Sequence, residues 1–373
     1  MAFPMKIKLY VFLLLSLILF ESCSSGKAAY KKGDYYEAVL AAVQRLRGKP
    51  DHKKSKEVLK LSYQMAIEYL ETDAQNQIAS NANFKYKTAV SNYQKINHLY
   101  EEIRTSPGAL RVIPKPISKY DELTNVKAKA AEETYEAGIQ ALLKNTREDA
   151  KQAYYLFNDA NNFSPGYREA IEMIEQARYN ATLKVVVQPS LINYSDWNFE
   201  PVVFGYTENM FVKFYTPRQA EEQQLKKVDQ YIKVIVNGYQ EGRPVVTSKT
   251  ESFTDSVKTG EKTVKGEKIP VYTKVSATLT TYTKKITGRG SINLIITDAD
   301  SRAELRNSDI IADETWTDSW GTYKGDVRAL SDRDKKLCEK REPYPDRNYL
   351  ENRTRKELDN RLSNEMRNFY SRY

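Results

Sequence analysis

The chain has 373 residues, of which 40% are hydrophobic and 29% are charged, and this composition excludes a wholly disordered protein and favours two or three packed domains. The formal net charge of +9 is mild for this length and does not by itself indicate a nucleic-acid-binding protein. Two histidines and two cysteines are too few for a zinc cage, a disulfide framework or most histidine-based catalysis.

The first 22 residues have the features of a secretory signal peptide. Lys6 and Lys8 precede an apolar run over 9–20, and small residues follow that run. The run is shorter than the roughly 20 apolar residues that a membrane-spanning helix needs. We therefore predict that residues 1–22 are removed from the mature protein.

Cys23 directly follows this segment, with Ser24, Ser25 and Gly26 after it. The arrangement resembles the lipobox of bacterial lipoproteins, in which the cysteine becomes the acylated N-terminus. The resemblance implies lipidation of Cys23 and, because serine rather than aspartate follows it, attachment to the outer membrane of a Gram-negative cell. Phe20 and Glu21 depart from the usual lipobox, and an ordinary cleaved signal peptide with a chance cysteine stays open as the alternative.

Residues 23–182 are predicted to form an array of helices. Alanine, lysine, glutamate, tyrosine and leucine dominate, and the apolar residues recur at helical spacing. Proline and glycine concentrate at 48–50, 106–108, 114–116 and 164–166, which predicts helices of ordinary length between these points.

Two stretches of this region carry a repeat pattern. Residues 33–38 read Gly-Asp-Tyr-Tyr-Glu-Ala, and Ala153, Phe157, Ala160 and Pro165 follow an Ala-aromatic-Ala-Pro spacing. Both resemble tetratricopeptide repeats, which implies stacked helix pairs whose surface binds extended peptides or partner domains. Residues 107–116 interrupt a strict period, and a generic helical bundle stays open as the alternative.

Many of the 27 tyrosines lie in this region. Tyrosine has an apolar body and a polar tip, so it suits both helix packing and protein interfaces. We assign most of these tyrosines to packing. The candidates for partner binding are Tyr35, Tyr36, Tyr63 and Tyr154.

The composition changes at residue 183, after which valine, isoleucine, threonine and tyrosine indicate a β domain over 183–320. Alternating apolar residues over 271–279 and 292–296 predict a hairpin whose turn is Gly288-Arg289-Gly290. Residues 247–268, rich in threonine, lysine and glycine, predict an exposed or long hairpin loop. The expected domain is an antiparallel, sandwich-like sheet.

An acidic and aromatic cluster ends this domain. Asp313, Glu314 and Asp318 lie beside Trp316 and Trp320, and paired carboxylates near aromatic rings occur in sites that cleave or hold sugars. The alternative is a tryptophan pair that closes the core. Trp316 and Trp320 are therefore candidates for contact with a partner or ligand.

Residues 321–373 are predicted to form a polar loop followed by helices. The last segment carries an apolar stripe, which we expect to dock on the sheet. Its members are Leu350, Leu358, Leu362, Met366, Phe369 and Tyr370. The fold class expected for the whole chain is α+β, with an N-terminal helical array, a β domain and a C-terminal helix.

The sequence contains no phosphate-binding glycine loop, no Gly-x-Ser-x-Gly and no His-Glu-x-x-His. We therefore predict a protein that is not an enzyme and needs no cofactor or metal. Its resemblances imply a lipid-anchored scaffold on the periplasmic side of the outer membrane, similar to accessory subunits of assembly or secretion machines, with protein partners and no nucleic acid. The alternative function is carbohydrate or peptidoglycan binding by the β domain, which keeps a glycan among the candidate partners.

Overall fold

A computed structural model describes residues 26–189, 197–264, 266–339, 341, 343 and 346–373. The predicted signal peptide and Cys23 lie outside these residues. The chain divides into two compact units, and the second unit begins at Thr182, one residue before the predicted β domain. Within the described ranges, no helix combines the length and the apolar content needed to cross a membrane.

The first unit is helical, as the spacing of its apolar residues predicts. Proline and glycine lie at or between helix ends; Pro107, for example, stands at the start of a short helix that the Ser106 side chain caps. The helices are α1 (Lys27–Lys31), α2 (Tyr35–Gly48), α3 (Lys53–Ala79), α4 (Lys85–Arg104), α5 (Pro107–Leu110), α6 (Tyr120–Leu143), α7 (Arg147–Phe163) and α8 (Ala170–Ala181).

Successive long helices of this unit pack against one another, from α2 against α3 through to α7 against α8. Their lengths range from 12 residues in α8 to 27 in α3, so the array has no uniform period. Alanines fill the places where helices approach closely, and Ala153 and Ala160 are fully buried on either side of the buried ring of Phe157. Small side chains at these positions let the helix axes come together.

The second unit is built on one six-stranded sheet within the described residues. Its strands are β1 (Leu183–Gln188), β2 (Val212–Tyr215), β3 (Gln230–Glu241), β4 (Val245–Val264), β5 (Glu267–Asp298) and β6 (Glu304–Gly325). Its helices are α9 (Glu200–Phe204), α10 (Pro217–Glu222), α11 (Asp332–Glu339) and α12 (Arg347–Tyr370), with a 3₁₀ turn at Val327–Ala329.

The sheet is mixed, which corrects the expectation of an antiparallel sandwich. β1 pairs in parallel with both β2 and β3, whereas β5 pairs antiparallel with β3, β4 and β6. The long connections over 189–211 and 216–229 allow the crossovers that parallel pairing requires. In the part of the unit that the structure describes, helices rather than a second sheet cover the core face.

The predicted turn at 288–290 is wrong, because both glycines lie inside the 32-residue strand β5. A Cβ atom at Gly288 would lie 2.4 Å from the Tyr239 hydroxyl, and one at Gly290 would lie 2.8 Å from Trp197 and 2.9 Å from Thr354. The glycines are thus positions where aromatic rings and helix α12 approach the strand backbone closely.

The predicted loop over 247–268 is also corrected, since β4 extends to Val264 and pairs with β5 along its whole length. β3 and β4 lie end to end on the same edge of β5, with Glu241 opposite Gly288 and Val245 opposite Lys285. Threonines that suggested a loop form cross-strand pairs instead; Thr250 and Thr280 hydroxyls are 3.0 Å apart.

The C-terminal helix confirms the expected docking. All six members of the predicted apolar stripe are buried, and α12 packs on β5 and β6. Its side chains share a core with Ile232, Ile292, Leu294 and Ile296. The opposite face of the sheet carries polar cross-strand contacts, such as that of the Asn293 amide, which donates to Asp309.

Substitution of Gly138 tests the close packing of α6 on α7. A methyl group at Gly138 would lie 2.7 Å from the Cε1 atom of Phe157, whose ring is fully buried. Overpacking costs about 1–3 kcal/mol, which exceeds the helix-propensity gain of about 1 kcal/mol. We expect Gly138→Ala to lower the free energy of unfolding, measured by urea denaturation. Gly48→Ala is the control, because nothing lies within 4 Å of its added Cβ; equal stability of the two variants would contradict the described packing.

Candidate partner-binding cleft

A cleft of about 360 Å³ opens on the helical unit. The α1–α2 turn and the start of α2 form one wall, α3 forms a second, and Lys95 of α4 reaches the cleft from a third side. A volume of this size accommodates a small ligand or a few side chains of a peptide. The lining residues are Gly33, Asp34, Tyr35, Tyr36, Glu37, Ala66, Tyr69, Leu70 and Lys95.

The tight turn before α2 places the two adjacent tyrosines in the cleft. Gly33 has a φ of 80°, a left-handed conformation that glycine adopts without strain. The Asp34 carboxylate then caps α2 by accepting the Glu37 backbone N–H at 3.1 Å. Tyr35 and Tyr36 are therefore the first two residues of α2.

Three tyrosines give the cleft its aromatic surface. Tyr69 is 67% exposed, whereas Tyr35 and Tyr36 are half-buried. The centroids of the Tyr35 and Tyr30 rings are 5.7 Å apart, so the Tyr35 ring packs against a second aromatic ring. The Lys95 Nζ atom lies 5.7 Å from the Tyr36 ring centroid, within the range of a cation–π contact.

A polar network connects Tyr36 with α4. The Tyr36 hydroxyl and His98 Nδ1 share a hydrogen bond of 2.7 Å, and His98 Nε2 lies 3.8 Å from Glu102. Arg47 pairs with the same glutamate at 2.9 Å. Burial raises the pKa of the Tyr36 hydroxyl, and the carboxylates of Glu37 and Glu102 raise it further. The neutral form of the hydroxyl is thus favoured, which suits hydrogen bonding.

Sequence reasoning missed Tyr69, Lys95 and His98, which α3 and α4 bring to Tyr36. The spacing of Lys95 and His98, three residues apart on one helix, is a local signal that both lie on the same face. Nothing local links that face to the start of α2. The side-chain carboxylates of Asp34 and Glu37 and the Lys95 ammonium give the cleft charges of both signs.

Tyr63 lies in the helical core and is 5% exposed. Its hydroxyl accepts the Ile117 backbone N–H at 2.6 Å, while Asn97 accepts that of Lys119 at 2.6 Å. Lys119 also contacts Glu71 and Glu122 at 2.8 and 2.9 Å, and these carboxylates raise the pKa of its ammonium group. Tyr63 therefore anchors the loop between α5 and α6 and does not line the cleft.

The remaining candidates lie on other elements. Tyr154 is half-buried on α7 and contacts Tyr155 with ring centroids 5.4 Å apart. In the second unit, Trp320 stacks on Tyr282 at 5.5 Å, and the Arg341 guanidinium lies 4.5 Å from the Trp320 ring centroid. Trp316 is half-buried opposite Ile286.

The predicted acidic cluster is divided between the two faces of β6, with Asp313 on one face and Glu314 and Asp318 on the other. Asp313 forms a bidentate pair with Arg289, at 2.7 and 2.9 Å, and Glu314 pairs with Arg353 at 3.0 Å. Asp318 is buried on the face that also carries Trp316 and Trp320. Two of these three carboxylates thus serve ion pairs. No group of three or more potential metal ligands occurs among the residues that the structure describes.

Removal of the Tyr63 hydroxyl tests its anchoring role. Tyr63→Phe leaves the Ile117 N–H without its acceptor, a loss of about 1–2 kcal/mol. We expect a lower free energy of unfolding and faster hydrogen exchange at the Ile117 amide. Tyr69→Phe, which removes an exposed hydroxyl, should change stability by less than about 0.5 kcal/mol. Equal effects of the two variants would disprove the anchoring role.

The sequence was also compared with known proteins. Neither protein-family models nor curated proteins give a match to this chain.

Proposed function

We propose that this protein is a non-enzymatic scaffold that binds an extended segment of a partner protein in the cleft of its helical unit. The observation that carries the proposal is the grouping of Tyr35, Tyr36 and Tyr69 around one opening, with Tyr69 left largely exposed. Tyrosine combines a large contact area with few rotatable bonds, so ordering it on binding costs little entropy.

The polar groups of the cleft suit a peptide better than a reaction. Glu37 and Lys95 offer charges of opposite sign at its wall, and the Tyr36 hydroxyl is held in place by His98. These groups can pair with the backbone and side chains of an extended chain. The tyrosine faces favour an apolar or cationic side chain at the centre.

The helical unit supports the scaffold role by its packing. We place it among tetratricopeptide-like arrays, in which alanine lets paired helices approach and an aromatic ring fills the remaining gap. This kind of packing requires buried side chains, and those of Ala153, Phe157 and Ala160 are fully buried. The unequal helices make this an irregular member of such a class.

We place the protein on the periplasmic side of an outer membrane, anchored by acyl chains on Cys23. The support is the basic start, the apolar run and the serine-rich stretch that follows it in the sequence. Glycan binding by the second unit has weaker support, because Tyr282 and Arg341 already contact the ring of Trp320.

Photocrosslinking in intact native cells tests the cleft. A photoreactive phenylalanine analogue in place of Tyr69 should form one discrete adduct with a partner protein. That adduct should disappear when Tyr35→Ala removes part of the cleft wall. Tyr155, 56% exposed on α7 and outside the cleft, is the matched control position. The same adduct from position 155, or none from position 69, would refute binding in the cleft.

The membrane anchor is tested by the mass of the mature N-terminus. The wild-type protein should partition into detergent and carry acyl mass on Cys23, because several acyl chains give durable attachment. Cys23→Ala should remain in the aqueous phase after extraction. A water-soluble wild-type protein without acyl mass would exclude the proposed location and leave binding in the cleft untouched.

A further inference from the structure

Strands β4 and β5 continue beyond the pairing with β6 as a two-stranded arm, residues 258–264 and 266–274. Pairing of β5 with β6 ends at Ala277 opposite Gly325, whereas pairing of β4 with β5 continues to Val264 opposite Glu267. Every described residue of the arm is exposed. Going outward along β5, Val275 is the outermost buried residue. The strand from Val275 to Glu267 at the tip is about 26 Å long, at about 3.3 Å per residue.

The arm begins at a packed base and carries cross-strand contacts of its own. At its base, Phe253, Val257 and Val275 pack with Ala329 and Leu330. Farther out, the hydroxyls of Thr259 and Thr273 lie 2.9 Å apart, and Lys258 pairs with Glu261 at 2.6 Å. A hairpin without such an anchor is only marginally stable in water, so the base allows the arm to stay extended.

One face of the arm carries a row of apolar side chains. Alternation along β5 places Ile269 and Val271 on the same face as the buried Val275, and the pairing of Val264 with Glu267 adds that valine at the tip. Ile269 is 48% exposed, and Val264 and Val271 are each 42% exposed. The aliphatic side chains of the core face thus recur out to the tip of the arm, interrupted by Thr273 and by Lys262, which pairs directly opposite Ile269.

The arm also carries a strong excess of positive charge. Residues 258–274 contain five lysines and two glutamates. Alternation places Lys268 and Lys274 on the face opposite the apolar row, and Lys258 stands opposite Tyr272 there. The arm is therefore a ribbon of two unlike faces: one carries the exposed aliphatic side chains with Lys262 among them, and the other carries three lysines around Glu261 and the exposed ring of Tyr272.

We infer that the arm binds a lipid surface that contains anionic headgroups. Apolar side chains at the tip can enter the boundary between headgroups and acyl chains, while long lysine side chains reach the phosphates. A second copy of the chain fits less well, since pairing two arms would bring together eight lysines of the described residues. An acidic protein would satisfy the charge, but it would give the exposed aliphatic side chains no apolar medium to enter.

A tryptophan at the tip tests the inference in the full-length protein. Ile269→Trp is compared with Ile311→Trp, because Ile311 is also a strand residue, 44% exposed, on β6. Each protein is mixed with vesicles made of phosphatidylcholine and a brominated lipid. The vesicles are prepared either with or without the anionic lipid phosphatidylglycerol. Any anchor at the N-terminus acts on both variants equally, and the unsubstituted chain corrects for the three native tryptophans.

We expect the anionic vesicles to quench the fluorescence of Ile269→Trp at least about twofold more than that of Ile311→Trp. Adding Lys262→Glu and Lys268→Glu should abolish the difference. Adding Lys53→Glu and Lys54→Glu, an equal charge change at the exposed start of α3, should preserve it.

Three results would overturn the inference. Equal quenching at positions 269 and 311 would show adsorption of the whole protein. Loss of the difference in the Lys53/Lys54 variant would show an effect of total charge. A blue shift of Ile269→Trp that grows with protein concentration in the absence of vesicles would show contact between copies. Each result is independent of crosslinking at Tyr69 and of acylation at Cys23.

Discussion

Close approach between packed elements, allowed by residues with small or absent side chains, is the constraint on which both units depend. In the helical unit, Gly138 leaves room for Phe157, and buried alanines bring neighbouring helices together. In the second unit, Gly290 lets helix α12 lie directly on β5. Protein interiors are packed as densely as organic crystals, so one added methyl group at such a point must displace its neighbours.

The candidate cleft follows from the same packing. Ala66 and Leu70 line it together with the tyrosines, which lie around the opening. The tyrosines of this unit divide by environment: Tyr63 is buried and holds a loop, Tyr36 is half-buried and hydrogen-bonded, and Tyr69 is exposed. One residue type thus serves packing, positioning and surface contact within a single group of helices.

Strands β4 and β6 each have one edge that has no pairing partner in the described part of the chain. Such edges invite association with other strands. Charged residues occur at close intervals along β4, among them Lys249, Glu251 and Asp255. They oppose this association, because an added strand would need charges of opposite sign at the positions beside them. The edge can therefore stay extended and exposed in a folded protein.

Much of the fold could be predicted from the chain alone, because the relevant signals are local. Helix ends follow capping residues such as Asp34 and Ser106, and the apolar spacing of the last segment identifies the buried side of α12. The change from helix to strand at residue 183 is a change of composition. Each of these features depends on residues within a few positions of one another.

The tertiary structure alone decided which distant segments meet. Gly288 and Gly290 are compatible with a turn or with a continuous strand, and the rings of Tyr239 and Trp197 together with α12 select the strand. The parallel pairing of β1 and the meeting of Tyr36 with Tyr69 and Lys95 likewise join residues far apart in the chain. Such contacts depend on the free energy gained when whole elements are buried against one another. The local spacing of apolar residues does not specify which elements these are.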